Sequence, residues 1–346
     1  MYDDENLVCS PLSLQYALAM TANGASGETF QEIIDFLGYG EEGIDALNEY
    51  SRTLLEQLPA VDLDVNLKVT DALVVNDRFP LLPTFKSAVE NNYYAAVENM
   101  DFSDPEYVAA LINDWAVRNT NGFIDKVISS ADISPDAVAY IMNAMYFEAK
   151  WAGSEYFPMF CEEGTMEDDF HLGDGRTIKV DMMRNSRSHE YAEMDGYKVL
   201  VLPYANGRFN MYVLLPDENN IGGLLEKLQT TSWRDILGSL KNDAEVYVKL
   251  PKFNIENKFN LNDALNSLGI TKAFKSGQAE FDNMFVNDEY CYWIGKVIQK
   301  SRISVSEWGT EAASVTIVEM DGAADAGPAH FHMKSMKSFR NLLQIS

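Results

Sequence analysis

With 346 residues, 47% of them hydrophobic, the chain can bury one large core or two modest ones. Eighteen Phe, seventeen Tyr and five Trp exclude a disordered chain. A formal net charge of −26 argues against nucleic acid, polyanionic polysaccharide or anionic membrane as a partner, because phosphate binding needs concentrated Lys and Arg. No apolar run approaches the roughly 20 residues that span a bilayer. Met1 leads into Tyr2-Asp3-Asp4-Glu5 rather than a charged and then apolar leader, so no signal peptide is expected. Cys9, Cys161 and Cys291 are too few and too scattered for a disulfide framework or a zinc site.

In chain order, Ser10-Pro11 opens a helix on which Leu12, Tyr16, Ala19 and Met20 share a face. Gly24 and Gly27 break it, and residues 28 to 36 restart it. Residues 105 to 128 read as one amphipathic helix with Val108, Leu111, Ile112, Trp115 and Ile124 on its apolar face. The almost wholly apolar run from Val138 to Phe147 fits a strand buried on both faces. Residues 197 to 202 and 210 to 215 flank a turn at Asn206-Gly207 and predict a hairpin. Residues 244 to 253 alternate as a strand, and residues 261 to 268 form a short helix closed by Gly269. Helices come first and strands later, without βαβ rhythm, so the fold class is α+β.

After an alternating strand pattern (Ile298, Lys300 and Arg302 against Gln299, Ser301 and Ile303) comes Glu307-Trp308-Gly309-Thr310-Glu311-Ala312-Ala313-Ser314-Val315-Thr316. Nothing in this segment demands burial, so it can lie exposed. Thr310, Ala312, Ser314 and Thr316 also alternate and are small enough for a tightly packed strand. A segment suited to both states suggests a switch.

The ordered motifs resemble the serpin family over almost the whole chain. They include Ser10-Pro11-Leu12-Ser13, Asn23-Gly24-Ala25, Ile112-Asn113-Asp114-Trp115, Thr120-Asn121-Gly122, Asn143-Ala144-Met145-Tyr146-Phe147, Leu202-Pro203-Tyr204, Leu250-Pro251-Lys252-Phe253 and Gly309-Thr310-Glu311-Ala312-Ala313. The resemblance implies one α+β domain over residues 1–346, with three β-sheets, about eight or nine helices and an exposed reactive-centre loop within residues 307–330. It implies a suicide inhibitor of serine proteases, not an enzyme. The protease forms a covalent acyl complex at the loop, which then inserts into the main sheet as an added strand.

On the family pattern the hinge is Gly309, Thr310, Glu311, Ala312, Ala313, Ser314, Val315 and Thr316. The cut falls between Ala323 and Ala324, and small Ala323 suits elastase-like or subtilisin-like proteases. Trp151, Lys252 and Glu307 resemble the breach where insertion starts, with Lys252 and Glu307 as a pair. Ser10, Ser13 and Asn143 resemble the shutter beneath the sheet centre, where Gln299 stands in place of the family's usual His. The first helix and the last core strands look truncated, since the stretch after Phe331 is polar and basic. By family analogy the protein resembles an inhibitory microbial member, extracellular or held at the cell surface, monomeric, without cofactor or metal. A non-inhibitory carrier or plain protease substrate is the alternative, and the small-residue hinge argues against it. An enzyme is remote, since Gly-x-Ser-x-Gly, P-loop and His-Glu-x-x-His are all missing from the chain.

Overall fold

A computed structural model describes residues 6–154, 156–218, 220–286 and 289–324. The chain opens with α1 (Pro11–Ala22), α2 (Gly27–Phe36) and α3 (Gly43–Gln57). Ser10 caps α1 by accepting from the Ser13 amide, and Pro11 takes the first-turn position where no amide is needed. Residues 16 to 22 are all buried, so α1 runs through the interior, as an apolar helix without a polar face must. Strand β1 (Asn66–Asn76), α4 (Pro83–Tyr93), β2 (Ala96–Met100), α5 (Pro105–Asn119) and β3 (Ala137–Lys150) follow.

Helix α5 starts at its Asp104 cap, which accepts from the amides of Glu106 and Tyr107. It stops at Asn119, earlier than its apolar periodicity predicts, because Asn121 and Gly122 take the left-handed conformation (φ 55° and 78°). Ile124, Val127 and Ile128 still bury, but from an extended segment laid across the sheet. Asn113 of α5 holds that segment: its Oδ1 accepts from the Val127 amide (2.7 Å) and its Nδ2 donates to the Ile128 carbonyl (2.8 Å).

Strands β4 (Met166–His171), β5 (Thr177–Met194), β6 (Tyr197–Pro203) and β7 (Asn210–Pro216) lead to α6 (Ile221–Thr230) and α7 (Trp233–Ser239). The chain then forms β8 (Lys241–Pro251), β9 (Phe253–Asn260), α8 (Asn262–Ser267), β10 (Tyr290–Ser306) and β11 (Gly309–Ala324). The main sheet has six strands in the order β2-β1-β3-β11-β10-β9. Where three sheets are expected, the described residues form two, because the 18-residue β5 belongs to both smaller ones. It pairs with β4 and β8 along most of its length and with β6 at its end.

The expectation of an exposed loop at residues 309 to 324 is replaced by a central strand. β11 is antiparallel to both neighbours, in register with β3 from Gly309↔Lys150 to Asp321↔Ala137 and with β10 from Ser306↔Gly309 to Tyr290↔Ala324. Val315, Thr316, Ile317 and Val318 are β-branched, and they sit where a pleated, doubly covered strand needs such shapes. One core lies between α1 to α4 and one face of the sheet, and includes Val318 and Met320 of β11. A second lies under α5 and includes Ala313, Val315 and Ile317. The strand is therefore buried on both faces.

Candidate functional site

Each hydroxyl on the small-residue face of β11 meets a partner. Tyr204 donates its hydroxyl to Thr310 Oγ1 at 2.7 Å. Ser314 Oγ lies 2.9 Å from Ser301 Oγ on β10. Gln299 Nε2 donates to Thr316 Oγ1 at 2.9 Å, and Ser13 Oγ of α1 lies 2.9 Å from that same oxygen. Ala312, opposite Phe147, is half-buried and adds no polar atom. A buried hydroxyl without a partner costs about 1–3 kcal/mol, and none of the three bears that cost here. Glu311, on the other face, accepts from the Tyr146 hydroxyl at 2.8 Å.

At the start of β11 the chain turns through Glu307 and Trp308. Lys252 Nζ lies 2.9 Å from Glu307 Oε2, and Thr165 donates its hydroxyl to Glu307 Oε1 at 2.6 Å. Burial works to raise the Glu307 carboxyl, but these two donors outweigh it and hold it below its ordinary value. Trp151 donates its indole N–H to the Ser306 carbonyl (2.8 Å) and stacks on Tyr204 at 4.6 Å. Gly309 has φ 153°, and a Cβ there would sit 2.0 Å from the Ala149 carbonyl oxygen, so only glycine lets the strand enter at this point.

Midway along the sheet a polar row crosses four strands in register: Gln299, Thr316, Asn143 and Asp71. Gln299 also ties the row to α1, accepting from the Ser10 amide and donating to its carbonyl, both at 2.9 Å. Asn143 Nδ2 donates to Asp71 Oδ1 at 2.9 Å. Asp71 Oδ2 and Asn143 Oδ1, two buried acceptors, have no hydrogen-bond partner among the described residues. Burial pushes the Asp71 carboxyl up to about 7 against the pull of Asn143, and a protonated Asp71 supplies the donor this pair lacks.

A family model described as Serpin (serine protease inhibitor) matches residues 1–339. The chain belongs to the serpin family. It is 32% identical over 323 residues to an uncharacterized serpin-like protein of Methanosarcina acetivorans, covering 92% of this chain and 73% of that one. It is 32% identical to Serpin-Z10 of Arabidopsis thaliana, covering 90% of this chain and 81% of the relative. Among solved structures it is similar to one titled Cleaved Serpin 42Da, with TM-score 0.85, 29% identity and coverage of 92% and 83%. It is also similar to the thermophilic serpin Tengpin in the latent state, with TM-score 0.81, 32% identity and coverage of 92% and 84%. Serpins are generally inhibitors of serine proteases rather than enzymes.

In this serpin the residues singled out from the sequence fall into three places. Trp151, Lys252 and Glu307 gather at the entry to β11. Ser10, Ser13, Asn143 and Gln299 gather at the polar row. Ala323 and Ala324 end the strand and are exposed, while residues 325–330 and Phe331 lie outside the described residues. Sequence reasoning missed Tyr204, Ser301, Thr165 and Asp71 as parts of the site. Asp71 carried a signal: it is a carboxylate next to the apolar run Ala72-Leu73-Val74-Val75, where an acid is rarely placed without purpose. Among the described residues no group of three or more His, Cys, Asp or Glu could hold a metal ion, and no helix is long and apolar enough to cross a membrane.

Proposed function

We propose that this serpin is a conformational-trapping inhibitor of serine proteases whose specificity pockets are shallow and apolar, of elastase or subtilisin type. The protease serine hydroxyl attacks the Ala323 carbonyl, the amine of Ala324 leaves, and an acyl ester joins Ala323 to the enzyme. The freed segment enters the sheet between β3 and β10, starting at Gly309, and carries the protease with it before water can hydrolyse the ester.

The observation that carries this reading is the match between the small-residue face of β11 and the donors and acceptors waiting for it at Tyr204, Ser301, Gln299 and Ser13. A loop selected only for exposure would not need hydroxyls at Thr310, Ser314 and Thr316 in phase with those partners. Trp151, Lys252 and Glu307 act as the breach that opens first, and Ser10, Ser13, Asn143 and Gln299 as the shutter behind it. The chain works as one domain and as a monomer, outside the cell or at its surface.

Mixing the protein with an elastase-like protease tests this. The expected outcome is an SDS-stable complex and a released fragment beginning at Ala324. Clean loop cleavage with full protease activity retained would overturn the proposal in favour of a plain substrate.

A further inference from the structure

The far end of β11 carries two carboxylates that a strand selected only for burial would not contain. Glu319 is 2% exposed and Asp321 8%. From β3, Tyr140 donates its hydroxyl to Glu319 Oε2 at 2.8 Å, and the Ser134 amide before β3 lies 3.3 Å from that oxygen. From β10, Lys296 Nζ stands 3.7 Å from Glu319 Oε1 but is committed to the Asp132 carbonyl at 2.7 Å. Glu319 Oε1 and Asp321 Oδ1 have no hydrogen-bond partner among the described residues.

The other charges near these groups are mostly unfavourable. Asp132 faces Glu319 and Asp136 faces Asp321, both from the segment before β3, and the two acids face each other. Lys258 of β9 is taken up by Asp132 at 3.2 Å. The β10 bulge at Gly295 gives the Asp321 carboxyl its room, since a Cβ there would lie 2.1 Å from Asp321 Oδ2. Burial, and then the Glu319 charge, push Asp321 up to about 6; burial likewise raises Glu319. In an exposed loop both carboxyls would titrate at ordinary values near 4.

We propose that insertion of β11 is proton-coupled: Glu319 and Asp321 take up protons as the far end of the loop enters the sheet, so acid completes insertion and higher pH opposes its last residues. The proposal rests on the reading that residues 309 to 324 are exposed before insertion. Both groups have raised values in the inserted state. For Asp321 the inserted form is therefore favoured in full below about pH 4, and that advantage is lost as pH rises through about 6; Glu319, raised by burial, acts in the same direction. Protonation also turns each orphan acceptor into a donor.

The test cleaves the full chain with thermolysin, a metalloprotease that forms no acyl ester, in weakly buffered solution at pH 6. Hydrolysis of a peptide bond there yields a carboxylate and an ammonium and is nearly proton-neutral. Uptake on the order of one proton per cleaved chain is expected, together with a gain in thermal midpoint on cleavage that is larger at pH 5 than at pH 8. The double variant Glu319→Gln/Asp321→Asn should show neither the uptake nor the pH dependence of the gain. Should that variant fail to fold, proton uptake and the two midpoints of the parent protein decide alone. A gain of equal size at both pH values without uptake would overturn proton coupling and leave insertion intact. No gain at any pH would overturn insertion itself, and the proposal with it.

Discussion

At Thr316 one hydroxyl joins three elements: Gln299 of β10 donates to it, and Ser13 of α1 lies within hydrogen-bond distance on the other side. Replacing it by Val keeps the volume and leaves Gln299 Nε2 short of an acceptor. The inserted form of Thr316→Val should lose about 1–3 kcal/mol in denaturant unfolding. At Thr310 the requirement is stricter, because the side chain is 5% exposed and faces the Tyr204 hydroxyl. Thr310→Arg places a charge in that slot, and under the proposed function it should convert trapping into plain substrate cleavage, read as a stoichiometry of inhibition at least tenfold higher.

Asp71 is testable without any protease. Its carboxyl is raised to about 7 by burial, so its contribution is full below its unfolded value near 4 and is lost as pH rises through 7. Asp71→Asn should flatten that part of the pH–stability curve and raise stability at pH 8 by on the order of 3 kcal/mol, measured by urea unfolding at both ends of the range. A steeper curve in the variant would show that the carboxylate is stabilising. The hinge residues could be read from sequence because small size and alternation are local properties. Tyr204 and Asp71 could not be read in full, since their partners lie 106 and 72 positions away.

Among the elements, β11 shows what local pattern can and cannot decide. Its alternation was visible, but its place between β3 and β10 is a non-local matter that the segment's own pattern does not decide. Helix α5 shows the opposite failure. Its apolar spacing runs on to Ile128, yet Asn121 and Gly122 end it, and an Asn-Gly pair is a turn signal that periodicity overrode. Strand β9 went unseen because its residues alternate between half-buried and exposed, at the sheet edge, with little apolar content to mark it.

The odd-numbered face of β11 offers a packing test. Ile317 is 1% exposed in the core under α5. Ile317→Ala should cost the inserted form about 2–5 kcal/mol while barely changing the form in which this segment is exposed. Unfolding before and after loop cleavage separates the two.

At the scale of the whole molecule, the α+β class was legible from helices preceding strands, whereas the large main sheet was expected only from the family resemblance. The joining of the two smaller sheets along β5 was not, because an 18-residue strand that changes partners has no signature in its own composition. The amides of Gly309 to Asp321, paired on both sides, should be among the slowest in the molecule to exchange with deuterium after cleavage and fast before it, which mass spectrometry of peptic fragments would register.

The 16 residues of β11 also act as a ruler. At about 3.3 Å per residue they span roughly 50 Å from Gly309, fixed by its contact with Ala149, to the end at Ala324. Under the proposed insertion, whatever is joined to that end travels a distance set by counting residues, not by flexibility. Removing two residues would shorten the throw by about 7 Å and leave every side chain on its own face. Removing one would turn the hydroxyls toward α5 and the aliphatic side chains toward Gln299 and Ser13, so the length of this loop is quantised in pairs.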